Sequence, residues 1–336
     1  MGFLGAGLIA RLHRKMLQGS GLPLRWSGVF DPDTERARAF SDAIGAPLAR
    51  SEEEVLEGSD AVYVCTWTAE HRRLVEAAAA RGLAIFCEKP LAVDLEGARA
   101  MTRSVEKAGV VNQVGLVLRY SPAFEVARAL ILAPESGRVM AVVFRDDQFI
   151  PTQGAYGSAW RADRERAGSG TLLEHSIHDL DLLEWLLGPV CEVNARTAFF
   201  HGLEGIEDVA TVSLAFESGA LGTLISVWHD LLERPSLRRL EVFCERAYVV
   251  VEGDWLGPVS WTRPDGDAGS LEGAELAEAA ACSRVGPANP AEAFLRCAAE
   301  RRPATPDFRT ALRAHELADA VYRSAALGGS PARPSR

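Results

Sequence analysis

The chain has 336 residues, enough for two compact domains with sizeable cores. Its 36 basic residues against 46 acidic ones give a net charge of −10, which argues against an electrostatic nucleic-acid binder. Hydrophobic residues make up 48% of the chain, but no apolar run approaches the ~18 residues of a membrane span. Gly5, Gly7 and Arg11 interrupt the apolar core that a signal peptide would need.

Through the first 120 residues, short apolar runs alternate with amphipathic helical spacing, the pattern of a parallel α/β sheet. Strands are predicted over 2–4, 24–30, 61–65, 83–87 and 110–117, with helices over 8–17, 33–44, 70–81 and 95–107. The runs at 61–65 and 83–87 are almost continuously apolar, as expected of strands covered on both faces. The first strand has only Met1 to Leu4 before the glycines, which fits either a start placed a few residues late or a short sheet edge. From Gly137 the texture changes: strands are predicted over 137–150, 190–200, 209–216, 221–228, 237–244 and 248–251. Glu217-Ser218-Gly219 is a hairpin turn between two of them. This half reads as α+β with a large, mainly antiparallel sheet. Residues 265–270 and 329–336 read as loop and tail, and 290–301 and 305–326 as closing helices. The expected fold class is therefore α/β: a Rossmann dinucleotide-binding domain over 1–120 and an α+β substrate-binding domain over 121–330. The six cysteines form no C-x-x-C pair and read as buried thiols in a reducing cytoplasm.

Gly5-Ala6-Gly7-Leu8-Ile9-Ala10 is a G-x-G-x-x-A fingerprint between a strand and a helix. The first glycine permits the tight turn, the second lets a pyrophosphate approach the backbone, and Ala10 lets the helix pack closely. Asp31 ends the second predicted strand, where a carboxylate can accept hydrogen bonds from a ribose diol and repel a 2′-phosphate. The other reading of Asp31 is a turn residue before Pro32. NAD is favoured, while Arg36 and Arg38 keep NADP open. Gly5, Asp31, Thr66-Trp67, Glu88-Lys89-Pro90 and Arg119-Tyr120 all stand just past strand ends, along the edge where doubly wound sheets bind ligands.

Read as one helix, residues 169–188 place Glu174, His178 and Asp181 in one stripe, with Leu172, Leu173, Leu180, Leu183 and Leu187 opposite. Two acids and an imidazole can pass a proton; the ordinary alternative is a solvated polar face. Cys87-Glu88-Lys89-Pro90 sets a charged pair directly after a buried strand, and Pro90 fixes the direction of Lys89.

The ordered set of G-x-G-x-x-A, His71, Glu88-Lys89-Pro90 and Gly170…Glu174…His178…Asp181 resembles the Gfo/Idh/MocA oxidoreductases across essentially the whole chain. Arg119-Tyr120-Ser121-Pro122 and Trp228-His229 belong to the same resemblance. It implies an enzyme, an NAD(P)-dependent oxidoreductase that interconverts a secondary alcohol and a ketone on a sugar, polyol or similar small molecule. It also implies a homodimer or homotetramer formed through the second sheet. Lys89 resembles the lysine that binds the reacting oxygen, and His178 the histidine that exchanges the hydroxyl proton. Glu174 stands where the family's D-x-x-x-H motif has aspartate. It is one methylene longer, so the pocket must differ. The implied cofactor set is Gly5, Ala6, Gly7, Leu8, Ile9, Asp31, Thr66, Trp67, His71, Glu88 and Lys89, with His71 shaping the nicotinamide end. Arg119, Trp160, Arg161, His175 and Asp181 are candidate substrate residues. For His175, about 100° round the helix from Glu174, the plainer reading is a helix-face or inter-domain hydrogen bond. The spacing of Glu174, His175 and His178 is not a zinc signature, and no metal is expected. Two rivals remain: a glycosidase that uses NAD transiently, and a non-catalytic NAD-binding sensor.

Overall fold

A computed structural model describes residues 1–154, 157–284 and 286–335. Along the chain the first elements are β1 (Gly2–Leu4), α1 (Leu8–Gly19), β2 (Gly28–Phe30), α2 (Thr34–Ile44), α3 (Glu52–Glu57) and β3 (Ala61–Val64). They continue with α4 (Thr68–Ala80), β4 (Ala84–Cys87), α5 (Leu95–Ala108) and β5 (Asn112–Val114). The five strands pair in parallel in the order β2-β1-β3-β4-β5. Three helix starts are closed by their own side chains: Asp33, Ser51 and Asp94 accept the N–H of Arg36, Glu54 and Gly97. Each such cap is worth about 1 kcal/mol. The three-residue β1 lies inside the sheet between β2 and β3, so it is not the short edge that its length suggested. Residues 24–27, expected as strand, lie outside β2, and the strand expected to Val117 ends at Val114.

The chain then runs through α6 (Pro122–Leu132), β6 (Val139–Phe149), α7 (Arg164–Ala167), α8 (Thr171–Glu174), α9 (Ile177–Leu187), β7 (Val190–Ala198), β8 (Val209–Phe216) and β9 (Leu221–His229). Next come β10 (Leu237–Cys244), β11 (Tyr248–Glu252), β12 (Val259–Thr262), β13 (Ala268–Leu271), α10 (Gly273–Ser283), α11 (Pro290–Glu300) and α12 (Phe308–Ala326). Eight strands form one sheet in the order β13-β12-β11-β10-β6-β9-β8-β7. Every pair is antiparallel except β6 with β9. The turn at Glu217-Ser218-Gly219 joins β8 to β9 as the hairpin read from the sequence. Residues 268–270, expected as loop, instead belong to the edge strand β13, paired with β12. Ala155, Tyr156 and Val285, together with Arg336 in the expected tail, lie outside the described residues.

The chain divides into two compact units, Met1–Leu116 with Glu165–Ala167 and Gly286–Leu312, and Val117–Arg164 with Gly168–Val285 and Arg313–Arg336. A simple division at 120 thus misplaces residues 286–312, because α11 supplies core to the first unit. Phe294 is fully buried edge-on to Tyr63 (5.6 Å) and Phe86 (5.8 Å). Asn289 Nδ2 donates to the Met16 carbonyl at 2.6 Å, and Gln113 Nε2 to the Pro290 carbonyl at 3.1 Å. Burying one such aromatic is worth about 1.5–3 kcal/mol, independent of its distance along the chain. No helix among the described residues is long and apolar enough to cross a membrane.

Candidate active site

In the first unit the fingerprint turn is shaped for a ligand. Gly5 has φ +92°, and a Cβ there would stand 2.5 Å from the Cys65 carbonyl oxygen, so the crossing of β1 and β3 demands glycine. A Cβ on Gly7 would meet nothing within 4 Å. Leu8 and Ile9 open α1, no side chain caps its start, and its first turn carries no acid. Its N–H groups and dipole therefore suit an anion, and the open space before Gly7 suits a pyrophosphate. The Thr66 hydroxyl oxygen is buried without a hydrogen-bond partner just past β3. These residues fit a dinucleotide.

Asp31 is buried, and its carboxylate accepts the N–H of Ala6 at 2.8 Å and of Asp33 at 2.9 Å. The turn role is thus observed directly, with Arg36 at 3.8 Å. Trp67 precedes α4, and the Arg166 guanidinium lies over its ring at 4.2 Å. His71 is buried between carbonyls: Nδ1 stands 3.0 Å from the Pro90 oxygen and 3.3 Å from that of Leu91, and Nε2 is 3.3 Å from that of Thr66. Burial pushes its pKa down, and with both ring nitrogens facing backbone carbonyls it braces the turn.

Glu88 is turned inward, which revises its expected contact with the cofactor. Its carboxylate meets His13 Nε2 at 2.5 Å and accepts the Lys89 N–H at 3.1 Å. A Cβ on Gly115 would fall 2.6 Å from the Glu88 carboxylate, so the backbone closes over it. Burial alone would raise the Glu88 pKa, but His13 and Lys89 outweigh it and hold the group below its ordinary value. Sequence reasoning missed His13, although its position on the fingerprint helix was the available signal. Together Glu88, His13 and His71 fix the backbone on both sides of Lys89.

In the second unit the expected single helix is two, α8 and α9, broken at His175 and Ser176. The Ser176 hydroxyl donates to Asp146 Oδ2 at 2.8 Å and bonds Ser226 at 2.6 Å, and Ser226 in turn meets Thr171 at 2.8 Å. Those bonds replace the helical geometry that one uninterrupted stripe would have required. The stripe is also not wet: Glu174, His178 and Asp181 are all buried, as are the five leucines. Each acid has its own arginine. Arg161 Nε donates to Glu174 at 2.7 Å, and Arg119 clamps Asp181 with two bonds of 2.8 and 2.6 Å. The Arg161 guanidinium lies 4.7 Å from the centre of the Trp160 ring. Burial raises the Asp181 pKa, although Arg119 opposes the shift. Arg119 and Arg161, both candidate substrate residues, are therefore held by Asp181 and Glu174. Glu174 faces Arg161, while His175 Nε2 faces Arg238 at 2.7 Å.

Glu207, also missed, ties down the start of α8. Its carboxylate accepts the N–H of Gly170 (2.8 Å) and Leu172 (3.0 Å), the Ser169 hydroxyl (2.9 Å) and the Tyr322 hydroxyl (2.9 Å), and its own carbonyl accepts the Thr171 N–H at 2.8 Å. A Cβ on Gly170 would lie 1.8 Å from that carbonyl oxygen. Nothing local in sequence links residue 170 to residue 207.

A parallel sheet with a bare, glycine-fronted helix start and a lysine fixed past a strand end defines a dinucleotide-dependent oxidoreductase. The model of an oxidoreductase family with an NAD-binding Rossmann fold matches residues 1–116, and the GFO/IDH/MocA C-terminal domain matches 124–250. The chain belongs to the Gfo/Idh/MocA family of NAD-binding oxidoreductases. A 1,5-anhydro-D-fructose reductase of Ensifer adhaerens is 32% identical over 68% of this chain and 68% of its own length. The scyllo-inositol 2-dehydrogenase (NAD(+)) of Bacillus subtilis is 32% identical over 65% of this chain and 64% of its own. Levoglucosan dehydrogenase in complex with NADH shares the fold at a TM-score of 0.88 and 20% identity, covering 100% of this chain and 98% of that one. The WlbA dehydrogenase of Bordetella pertussis, in complex with NADH and UDP-GlcNAcA, gives 0.85 at 25% identity, covering 100% and 97%.

Proposed function

We propose that the chain uses NAD to interconvert a secondary alcohol and a ketone on a sugar, polyol or similar hydroxylated molecule, with Lys89 and His178 as its working groups. The observation that carries this reading is the bracing of Lys89. Glu88 holds its N–H and His71 holds the two carbonyls that follow it, so its ammonium is set by a rigid turn at a strand's carboxyl end. Nicotinamide, when bound, supplies the acceptor or donor of the hydride. Lys89 donates to the reacting oxygen and stabilises its developing negative charge. His178 takes or returns the hydroxyl proton. Glu174, paired with Arg161, stands behind His178, and Asp181, paired with Arg119, supports α9. Gly5, Ala6, Gly7, Leu8 and Ile9 bind the pyrophosphate, Asp31 the ribose, and Thr66 and Trp67 border the nicotinamide side.

The names of similar proteins, an anhydrofructose reductase and an inositol dehydrogenase, support the substrate class. Leu221, Val143 and Ile225 are exposed on neighbouring strands β9 and β6, which supports a homo-oligomer formed through that face. Four of the six free cysteines are buried, which supports a reducing, cytoplasmic setting. The test is Lys89→Ala: kcat/KM for an oxidised polyol should fall at least about 100-fold with the fold intact. A fall of only a few-fold would remove Lys89 from the reaction.

A further inference from the structure

His175, at the break between α8 and α9, belongs to a buried network that selects its protonation. Arg238 is 4% exposed; its Nε donates to Asp179 at 2.7 Å, Nη1 to Asp254 at 2.7 Å and Nη2 to Asp146 at 3.2 Å. The same Nη2 lies 2.7 Å from His175 Nε2. A guanidinium has five N–H donors and no acceptor, so this nitrogen–nitrogen contact requires a lone pair on Nε2. A proton there would set two N–H bonds head to head. Asp146 Oδ1 at 3.3 Å asks for the opposite tautomer, but that contact is longer. The other Asp146 oxygen already takes the Ser176 hydroxyl and Arg238. The shorter contact decides, and the proton of a neutral ring is left on Nδ1. The His175 side chain is 19% exposed, and its Nδ1 has no hydrogen-bond partner among the described residues.

We propose that His175 is a specificity-determining residue: Arg238 locks it as the neutral Nδ1–H tautomer, and that N–H donates to a hydroxyl or carbonyl oxygen of the substrate. This deepens the alcohol–ketone reading and rests on it. A locked donor accepts nothing, so it favours an oxygen acceptor and disfavours an ammonium at the same position of an amino sugar. Burial raises the Asp179 pKa, with a further push from Asp146, although Arg238 opposes the shift. Asp146 is lowered despite its burial, chiefly by the Arg238 guanidinium beside it, and remains the network's buried anion.

The first test is two-bond proton–nitrogen NMR on protein labelled with nitrogen-15 histidine, with the His175 signals assigned by their loss in His175→Asn. A protonated Nδ1 and an unprotonated Nε2 are expected at neutral pH. A protonated Nε2, alone or together with Nδ1, overturns the proposal. The second test uses whichever of myo-inositol, scyllo-inositol and 1,5-anhydro-D-fructose the enzyme turns over. His175→Asn, which keeps an N–H at the Nδ1 position, should hold KM within about 3-fold. His175→Gln, which moves the N–H to the Nε2 position, should raise KM about 10-fold with kcat within about 2-fold. Equal KM values for the two variants overturn the donor role. Turnover of none of these substrates would count against the alcohol–ketone reading, and the NMR result would still decide the tautomer.

Discussion

Replacing Gly170 with alanine should be among the most damaging single changes in the second unit. The added Cβ would stand 1.8 Å from the Glu207 carbonyl oxygen and 2.6 Å from both the carbonyl carbon and the amide nitrogen of the same residue. Carbon–oxygen contacts normally begin near ~3.3 Å, so the α8 start and the Glu207 backbone must part by about 1.5 Å. That separation breaks the bonds from the N–H groups of Gly170, Thr171 and Leu172 to Glu207, now 2.8, 2.8 and 3.0 Å long. Two of the three end on a buried carboxylate, where each hydrogen bond is worth about 1.5–3 kcal/mol. The expected loss is about 3–6 kcal/mol, against a total stability of about 5–15 kcal/mol for a typical domain. Urea unfolding followed by tryptophan fluorescence reads the effect. Gly7→Ala is the control, because its Cβ meets nothing within 4 Å and stability should hold to about 1 kcal/mol. A Gly170→Ala midpoint matching that of the control would refute the role given to Glu207.

Two carboxylates on Arg238 should respond oppositely to neutralisation. Asp179 has a raised pKa from burial, so the stability it contributes is full below about 3.8 and declines as pH rises through the raised value. Asp179→Asn should therefore cost no more than about 1 kcal/mol near neutral pH and flatten that decline. Asp146 has a lowered pKa, because Arg238 overcomes burial, so its contribution is present above about 3.8 and lost as pH falls through the lowered value. Asp146→Asn leaves Arg238 short of its buried counter-charge and should cost about 3–5 kcal/mol; equal losses in the two variants, read by urea unfolding across pH, would contradict this assignment. His13→Leu strips Glu88 of the partner that lowers its pKa, so burial alone then raises it. That variant should lose about 3–5 kcal/mol at neutral pH and less in acid, where Glu88 is protonated. A pH-independent loss would show that His13 acts only by packing.

Periodicity made most elements of the first unit legible, because β1 to β4 are short apolar runs and α1, α2 and α5 start behind a glycine or a capping aspartate. The fingerprint from Gly5 to Ala10 and the strand-end position of Lys89 are local patterns, and the turn geometry follows from them. What stayed hidden depends on residues distant in the chain. Phe294 joins the first unit's core through aromatic contacts with Tyr63 and Phe86. The helix over 169–188 has an unbroken helical pattern, yet Ser176 finds Asp146 and Ser226 on two sheet strands and breaks it. Helical periodicity correctly grouped Glu174, His178 and Asp181, but it could not show that Arg161 and Arg119 neutralise the acids. Burial and pairing, rather than spacing, set what those carboxylates can do.

The most direct test of the whole account is a cofactor-reduction screen of the purified protein over polyols and sugars, with NAD and NADP side by side. NADH should accumulate in step with ketone formed from at least one polyol or sugar, and the reaction with NADP should be slower because of Asp31. A flat trace across the panel, or product release that requires NAD without net NADH, would contradict it.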